Sequence, residues 1–127
     1  MTDRFDVVVI GAGSAGYAAA RTASRKGARV ALVDKGPLGG LCILWGCMPS
    51  KALLRSAEVA HMVSAARLWG VETGEVGIDF RAVMARKDHL IKGFADYRIH
   101  QIHELPNTEL IMGHARFVGP ERLRVGK

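Results

Sequence analysis

Phe5-Asp6-Val7-Val8-Val9-Ile10-Gly11-Ala12-Gly13-Ser14-Ala15-Gly16 is the stretch that decides the fold. The β-branched apolar run from Phe5 to Ile10 reads as a buried parallel strand, because both of its faces are apolar. Gly11 to Gly16 is a complete Gly-x-Gly-x-x-Gly turn. Ser14 to Lys26 follows, rich in alanine, a strong helix former, and stops at Gly27. Arg29-Val30-Ala31-Leu32-Val33-Asp34 is a second strand. Strand, helix and strand complete a βαβ unit, whose crossover is expected to be right-handed.

Each glycine of the turn has a separate task. Gly11 allows the tight turn, Gly13 lets a backbone approach a pyrophosphate, and Gly16 lets helix pack on strand. Ser14 and Ala15 open the helix, where free N–H groups and the dipole favour an anion. Asp34 ends the second strand 18 residues after Gly16, placed to accept hydrogen bonds from a ribose diol. The glycine pattern alone also describes a turn without a ligand. With strand, helix and acid in register, it reads as a nucleotide cradle.

Gly39-Gly40-Leu41-Cys42-Ile43-Leu44-Trp45-Gly46-Cys47-Met48-Pro49-Ser50-Lys51 comes next and holds the only two cysteines. Residues five apart on a regular helix sit ~140° apart around its axis, so Cys42 and Cys47 would not face each other. Closing a disulfide there needs a distorted helix. Gly46 supplies the backbone freedom, and Pro49 restricts Met48 and starts the next helix afresh. A strained, exposed disulfide is readily reduced, which suits a catalyst better than a staple. The competing reading is two buried free thiols. A zinc site lacks ligands, since no histidine pair has finger spacing.

Beyond this segment the pattern is helical from Pro49 to about Leu68, a loop from Trp69 to Gly77, and helical again from Phe80 to about Leu105. Pro106-Asn107 ends the second helix. Short strands are expected at Glu109 to Met112, His114 to Phe117 and Leu123 to Val125, with Gly119-Pro120 as the last turn. His100 and His103 share a helix face, but ordinary surface histidines explain them better than a metal pair. The fold class is therefore α/β: a Rossmann-like parallel sheet with a small antiparallel segment.

The chain has 127 residues, 49% of them hydrophobic and 24% charged, with a net charge of +6. That composition is ordinary for one soluble domain. The basic residues form no stripe, so no nucleic acid is expected as a partner. No signal peptide is expected at Met1-Thr2-Asp3-Arg4-Phe5-Asp6, which carries two acids and leads into a strand, and the apolar stretch from Val7 to Ala20 is too short and too glycine-broken to span a membrane. A cytoplasmic location is expected, where a lone cysteine pair is catalytic more often than structural.

These motifs together resemble the N-terminal FAD-binding region of the class I pyridine nucleotide-disulfide oxidoreductases. The redox signature of that family reads Gly-Gly-Thr-Cys-x-x-x-Gly-Cys-x-Pro-Ser-Lys. Gly39 to Lys51 departs at one fixed position, with Leu41 for Thr, and carries Leu44 where Asn is usual. Asp34 stands where the family has Glu. Gly113-His114-Ala115-Arg116-Phe117-Val118-Gly119 resembles the segment that touches the adenine half of FAD. The resemblance implies FAD contacts at Gly11, Gly13, Ser14, Ala15, Gly16, Asp34, Lys35, Gly40, Leu41, Cys42, Gly46, Cys47, Lys51 and Ala115, and no metal.

It also implies roles. Cys47 would lie against the flavin as the charge-transfer thiolate, and Cys42 would be the more accessible interchange thiol. A cation at Lys51 would favour the anionic reduced flavin; the plainer alternative is a surface lysine. Electrons would pass from NADH or NADPH to FAD, to a Cys42–Cys47 disulfide, and on to an external disulfide or a metal ion as substrate, or in reverse from a dithiol. Residues 1–127 would then be the truncated N-terminal part of an FAD-binding domain. The NAD(P)-binding and dimerisation domains, and the catalytic His of a homodimeric partner, would lie outside it. The alternative is a stand-alone nucleotide-binding module that uses the cysteine pair as a redox sensor.

Overall fold

The computed structural model describes residues 3–126. Met1 and Thr2 of the leader reading, and Lys127 at the end of the last hairpin, lie outside the described residues. Strand β1 (Val7–Ile10), helix α1 (Ser14–Arg25) and strand β2 (Val30–Asp34) form the expected βαβ unit. Helices α2 (Gly40–Leu44), α3 (Cys47–Ser64) and α4 (Phe80–His103) follow, with a 3-10 turn at Ala66–Trp69. Strands β3 (Thr108–Met112), β4 (His114–Gly119) and β5 (Arg122–Gly126) complete the chain.

The main sheet is parallel, in the order β1-β2-β3. Val7 to Ile10 pair with Val30 to Val33, and Val30 to Asp34 pair with Thr108 to Met112. The central position of β2 explains its composition: Val30, Ala31, Leu32 and Val33 are all buried, as a strand covered on both faces requires. One face meets Ala20 of α1 and Ile102 of α4, with Val7, Val9, Tyr17 and Leu110 around them. Strand β4 packs against β2 and pairs antiparallel with β5. The α/β class, the parallel sheet and the small antiparallel segment all stand.

Three element boundaries differ from the sequence reading. The glycine-rich loop ends in a helix of its own, α2. Helix α3 begins at Cys47 and not at Pro49, because proline fits the first turn of a helix, where its missing N–H is not needed. The same helix ends at Ser64, and the chain tightens into the 3-10 turn before Gly70. Helix α4 starts where Asp79 Oδ1 accepts from the Ala82 N–H at 3.0 Å, a side-chain cap. None of the described helices is long and apolar enough to cross a membrane.

Helix α4 reaches back to α1 through Arg98, whose guanidinium stacks 4.3 Å from the Tyr17 ring centroid. Its Nε and Nη1 are buried and have no hydrogen-bond partner among the described residues. Cation–π stacking therefore bears on burial that hydrogen bonds leave uncompensated.

The seat of α1 on β1 depends on Gly16. A Cβ there would lie 1.7 Å from the Gly11 carbonyl oxygen and 2.9 Å from its carbon, both backbone atoms. Gly16→Ala is expected to cost about 2 kcal/mol or more of unfolding free energy, as overpacking against fixed backbone does. Gly74→Ala, with nothing within 4 Å, should stay within about 0.5 kcal/mol of the parent. Equal urea midpoints for the two variants would refute the contact.

Candidate functional site

The site lies at the C-terminal ends of β1 and β2, where a parallel sheet offers its binding crevice. Backbone hydrogen bonds draw the turn onto the neighbouring strand: the Gly11 N–H donates to the Val33 carbonyl at 2.7 Å. Asp34 tightens the junction. Its Oδ2 accepts from the Ala12 N–H at 2.6 Å, and its Oδ1 from the Gly36 N–H at 2.6 Å. Its carbonyl accepts from the Gly113 N–H at 2.8 Å, at the corner where the chain leaves the main sheet. A carboxylate has about four acceptor positions, so the two oxygens keep lone pairs for a ligand.

The ribose reading of Asp34 therefore covers only part of its work. The side chain clamps two loops, through Ala12 and Gly36, and the backbone carbonyl of the same residue holds a third at Gly113. The clue in the sequence was an acid at a strand end facing a glycine turn, but nothing local identifies Ala12 as its partner.

Helix α1 begins at Ser14, and its first internal bond runs from the Tyr17 N–H to the Gly13 carbonyl at 2.8 Å. The N–H groups of Ser14, Ala15 and Gly16 have no partner within the helix. Gly13 has no side-chain cap to cover them. Gly40, at the start of α2, closes the cradle from the far side. A Cβ on Gly40 would lie 2.6 Å from Gly13 Cα, and its φ of +73° is one that only glycine takes easily. Backbone on both sides, free N–H donors and a helix dipole suit a pyrophosphate-sized anion.

Beside the cradle is a cleft of about 330 Å3, whose walls include Asp34, Lys35, Gly36, Gly40, Trp45 and Ala115. Its size falls within the range of small-molecule sites. A more open depression of about 490 Å3 lies at the opposite end of the strands, near Phe5, Arg29 and Thr108. It has neither glycine turn nor cysteine, and Arg29 there stacks on Phe5. The smaller cleft is the one joined to the cradle.

The cysteines sit on the other side of α2. The helix stops after Leu44, Trp45 closes it by donating its N–H to the Leu41 carbonyl at 3.0 Å, and Gly46 redirects the chain. Cys42 on α2 and Cys47 at the start of α3 thereby become neighbours, which a continuous helix would have prevented. In place of the expected disulfide, both are free thiols here, and hydrogen bonding to the Cys47 side chain bears on the proton of Cys42. That hydrogen bond with Cys47 is the main cause that pushes the Cys42 thiol above its ordinary value, followed by desolvation and by charge on Cys47. The Cys47 backbone N–H and the Lys51 ammonium pull it back down. Lys51 thus acts on the thiol pair even though it is solvent-exposed.

The expected order of accessibility is reversed. Cys47 is exposed and Cys42 only partly so, because Cys42 lies within α2 while Cys47 opens α3 at the break. The remaining candidates fall into two groups. Gly11, Gly13, Gly40, Asp34, Lys35 and Ala115 gather around cradle and cleft, and Cys42, Gly46, Cys47 and Lys51 around the break. Leu41 projects into solvent, 74% exposed. His114 lines the cleft beside Ala115. His100 pairs with Glu104 at 3.2 Å on α4. Among the described residues, no three His, Cys, Asp or Glu side chains gather as metal ligands.

Two outcomes follow from this geometry. Asp34→Ala should destabilise the protein by about 2 kcal/mol even without nucleotide, since charged hydrogen bonds to two backbone N–H groups are lost. Unchanged denaturation of the nucleotide-free variant would leave Asp34 with the ribose role alone. For the thiols, Cys47→Ala should move the pH profile of Cys42 alkylation downward, because the group that holds its proton is removed. Adding Lys51→Ala to that variant should move the profile back up. An unmoved profile on the second substitution would show that the Lys51 charge does not reach Cys42.

The same arrangement is found in known proteins. A family model described as pyridine nucleotide-disulphide oxidoreductase matches residues 5–124. The dihydrolipoyl dehydrogenase of Bacillus subtilis is 39% identical over 94% of this chain and 25% of its own length. A mercuric reductase of Lysinibacillus sphaericus is 32% identical over 97% of this chain and 22% of its own. Among solved structures, the Cu(II) complex of the HOCl-induced flavoprotein disulfide reductase RclA from Escherichia coli superposes with a TM-score of 0.80. It is 29% identical, over 99% of this chain and 25% of that one. The chain thus spans about a quarter of the length of these relatives. With a family match over nearly all of its residues, on a fold and a cysteine pair that agree with it, this chain belongs to the pyridine nucleotide-disulphide oxidoreductases.

Proposed function

We propose that this chain is the FAD-binding part of an oxidoreductase that exchanges electrons between NADH or NADPH, FAD and the Cys42–Cys47 pair, and through them with a disulfide or dithiol substrate. The observation that carries this reading is the cysteine pair at the break between α2 and α3, on the short helix whose first residue packs against the glycine cradle. The names of the relatives, dihydrolipoyl dehydrogenase and flavoprotein disulfide reductase, agree with it. Residues 1–127 form the N-terminal part of the FAD domain. The nicotinamide and dimerisation domains belong to the rest of a homodimeric parent. A cytoplasmic setting suits a pair that cycles between thiol and disulfide.

FAD fits the residues present. Gly13, Ser14, Ala15, Gly16 and Gly40 would hold its pyrophosphate, Asp34 and Lys35 its adenosine ribose, Ala115 its adenine, and Leu41, Gly46 and Lys51 the approach to its ring. Bound there, it would supply or accept the electron pair that opens or closes the Cys42–Cys47 bond. The protein's own part can be written with sulfur alone. Cys42, as thiolate, attacks one sulfur of the substrate disulfide, forms a mixed disulfide and releases the first thiolate. Cys47 then attacks Cys42 Sγ, forms the Cys42–Cys47 bond and releases the second. Two thiol protons leave the pair and two product thiols take them up.

The raised Cys42 thiol and the charge on Cys47 that helps to raise it support a division of labour. Cys47 is the flavin-side thiolate and Cys42 the interchange thiol. Two-electron reduction of the full-length protein with FAD is expected to give a long-wavelength absorbance band from a thiolate against the flavin. Cys42→Ser should keep the band and lose disulfide reduction, and Cys47→Ser should lose both. A band that survives Cys47→Ser would reverse the roles. Full turnover in either variant would remove the pair from the mechanism. Reversible thiol oxidation without any nicotinamide-dependent turnover would instead support a redox-sensing module.

A further inference from the structure

We infer that Trp45 is a specificity residue of the nucleotide site: its indole forms the stacking wall for the adenine of the bound dinucleotide. This rests on the FAD reading above. The indole is 63% exposed and lines the cleft together with Asp34, Lys35, His114 and Ala115. It has no place in the hydrophobic core. The most extensive aromatic ring of the twenty amino acids, left open to a cleft, has a large apolar area still to be covered.

Its position is fixed by the backbone. Trp45 closes α2 with its N–H on the Leu41 carbonyl at 3.0 Å, and the start of that helix is locked against Gly13 through Gly40. The backbone that carries the ring therefore stands at a set distance from the cradle. The rest of the cleft names the occupant. Asp34 offers lone pairs to ribose hydroxyls, Lys35 and His114 offer donors, and the cradle beside it takes phosphate. A group one ribose away from that phosphate, flat and aromatic with ring acceptors, is a purine base. The sequence placed an aromatic ring in the redox loop without saying which way it faces; the break at Gly46 turns it to the cleft.

The measurement is FAD affinity of the full-length protein freed of flavin, with Trp45→Ala, Trp45→Leu and Trp45→Phe beside the parent. Base–aromatic stacking predicts that Trp45→Ala weakens FAD binding about tenfold or more. Trp45→Leu should restore little, since it returns apolar bulk without a π face, and Trp45→Phe should restore most. Unfolding midpoints of the flavin-free variants should match the parent, as expected for a ring outside the core. The inference is overturned if Trp45→Ala binds FAD as the parent does, if Leu restores as much as Phe, or if the flavin-free variants lose stability in step with affinity. A parent that binds no FAD overturns the flavin reading itself, an outcome visible before any variant is compared.

Discussion

Everything in this site depends on one close approach of backbone to backbone. Gly13 and Gly40, 27 residues apart in sequence, touch so closely that a single methyl group on Gly40 would press to 2.6 Å of Gly13 Cα. That contact fixes the start of α2 against the start of α1. Asp34 fixes the third side, through the Ala12 and Gly36 N–H groups. Because α2 is only five residues long, holding its first residue also sets where Cys42 and Trp45 stand. The phosphate cradle, the cleft and the thiol pair are thus one rigid unit. The shape of the glycine cradle and the placement of the thiols are consequences of the same packing.

The legible part of the fold was the local part. From Val7 to Asp34 the apolar runs, the glycine turn and the alanine-rich helix each carry their own signal, and the βαβ unit follows within a residue or two. The strand at Thr108–Met112 was legible as a strand. Its parallel place beside β2 is a tertiary fact, set by two hydrophobic faces that meet more than 70 residues apart in the chain. What stayed hidden was every contact between loops. Nothing near Asp34 announces that Ala12 will donate to it, and nothing near Trp45 announces the cleft. Pro49 misled because its tolerance in a first turn was read as a need to begin there, while the free backbone at Gly46 had already started α3 at Cys47.

The cysteine pair shows how a local sequence signal can carry a wrong geometric corollary. The break that a close pair demands is present, and so is the contact between the thiols. Accessibility ran the other way because it was assigned from roles. A flavin-side thiol is the sheltered one when the flavin is in place, but the protein alone builds that face open, and Cys47 opens a helix at its edge. Cys42 is tucked into α2, where hydrogen bonding to Cys47 keeps its proton on and Lys51 works against it.

Where the site is made of backbone, side-chain identity is free to vary without loss of the cradle. Ser14, Ala15 and Leu41 present N–H groups or project outward, and their side chains carry little of the anion's binding. Where the site needs a face or a charge, the side chain decides. Asp34 is held by two hydrogen bonds through its carboxylate, Lys51 bears on Cys42 through its charge, and Trp45 brings an exposed ring to the cleft. Leu41, Leu44 and Trp45 all lie on or just beyond α2, the element that divides the cleft from the thiols. Leu41 and Trp45 present exposed side chains there, while the glycine contact beneath keeps the spacing of cleft and thiols constant. Recognition and architecture are therefore assigned to different atoms of the same five-residue element, side chains for the first and backbone for the second.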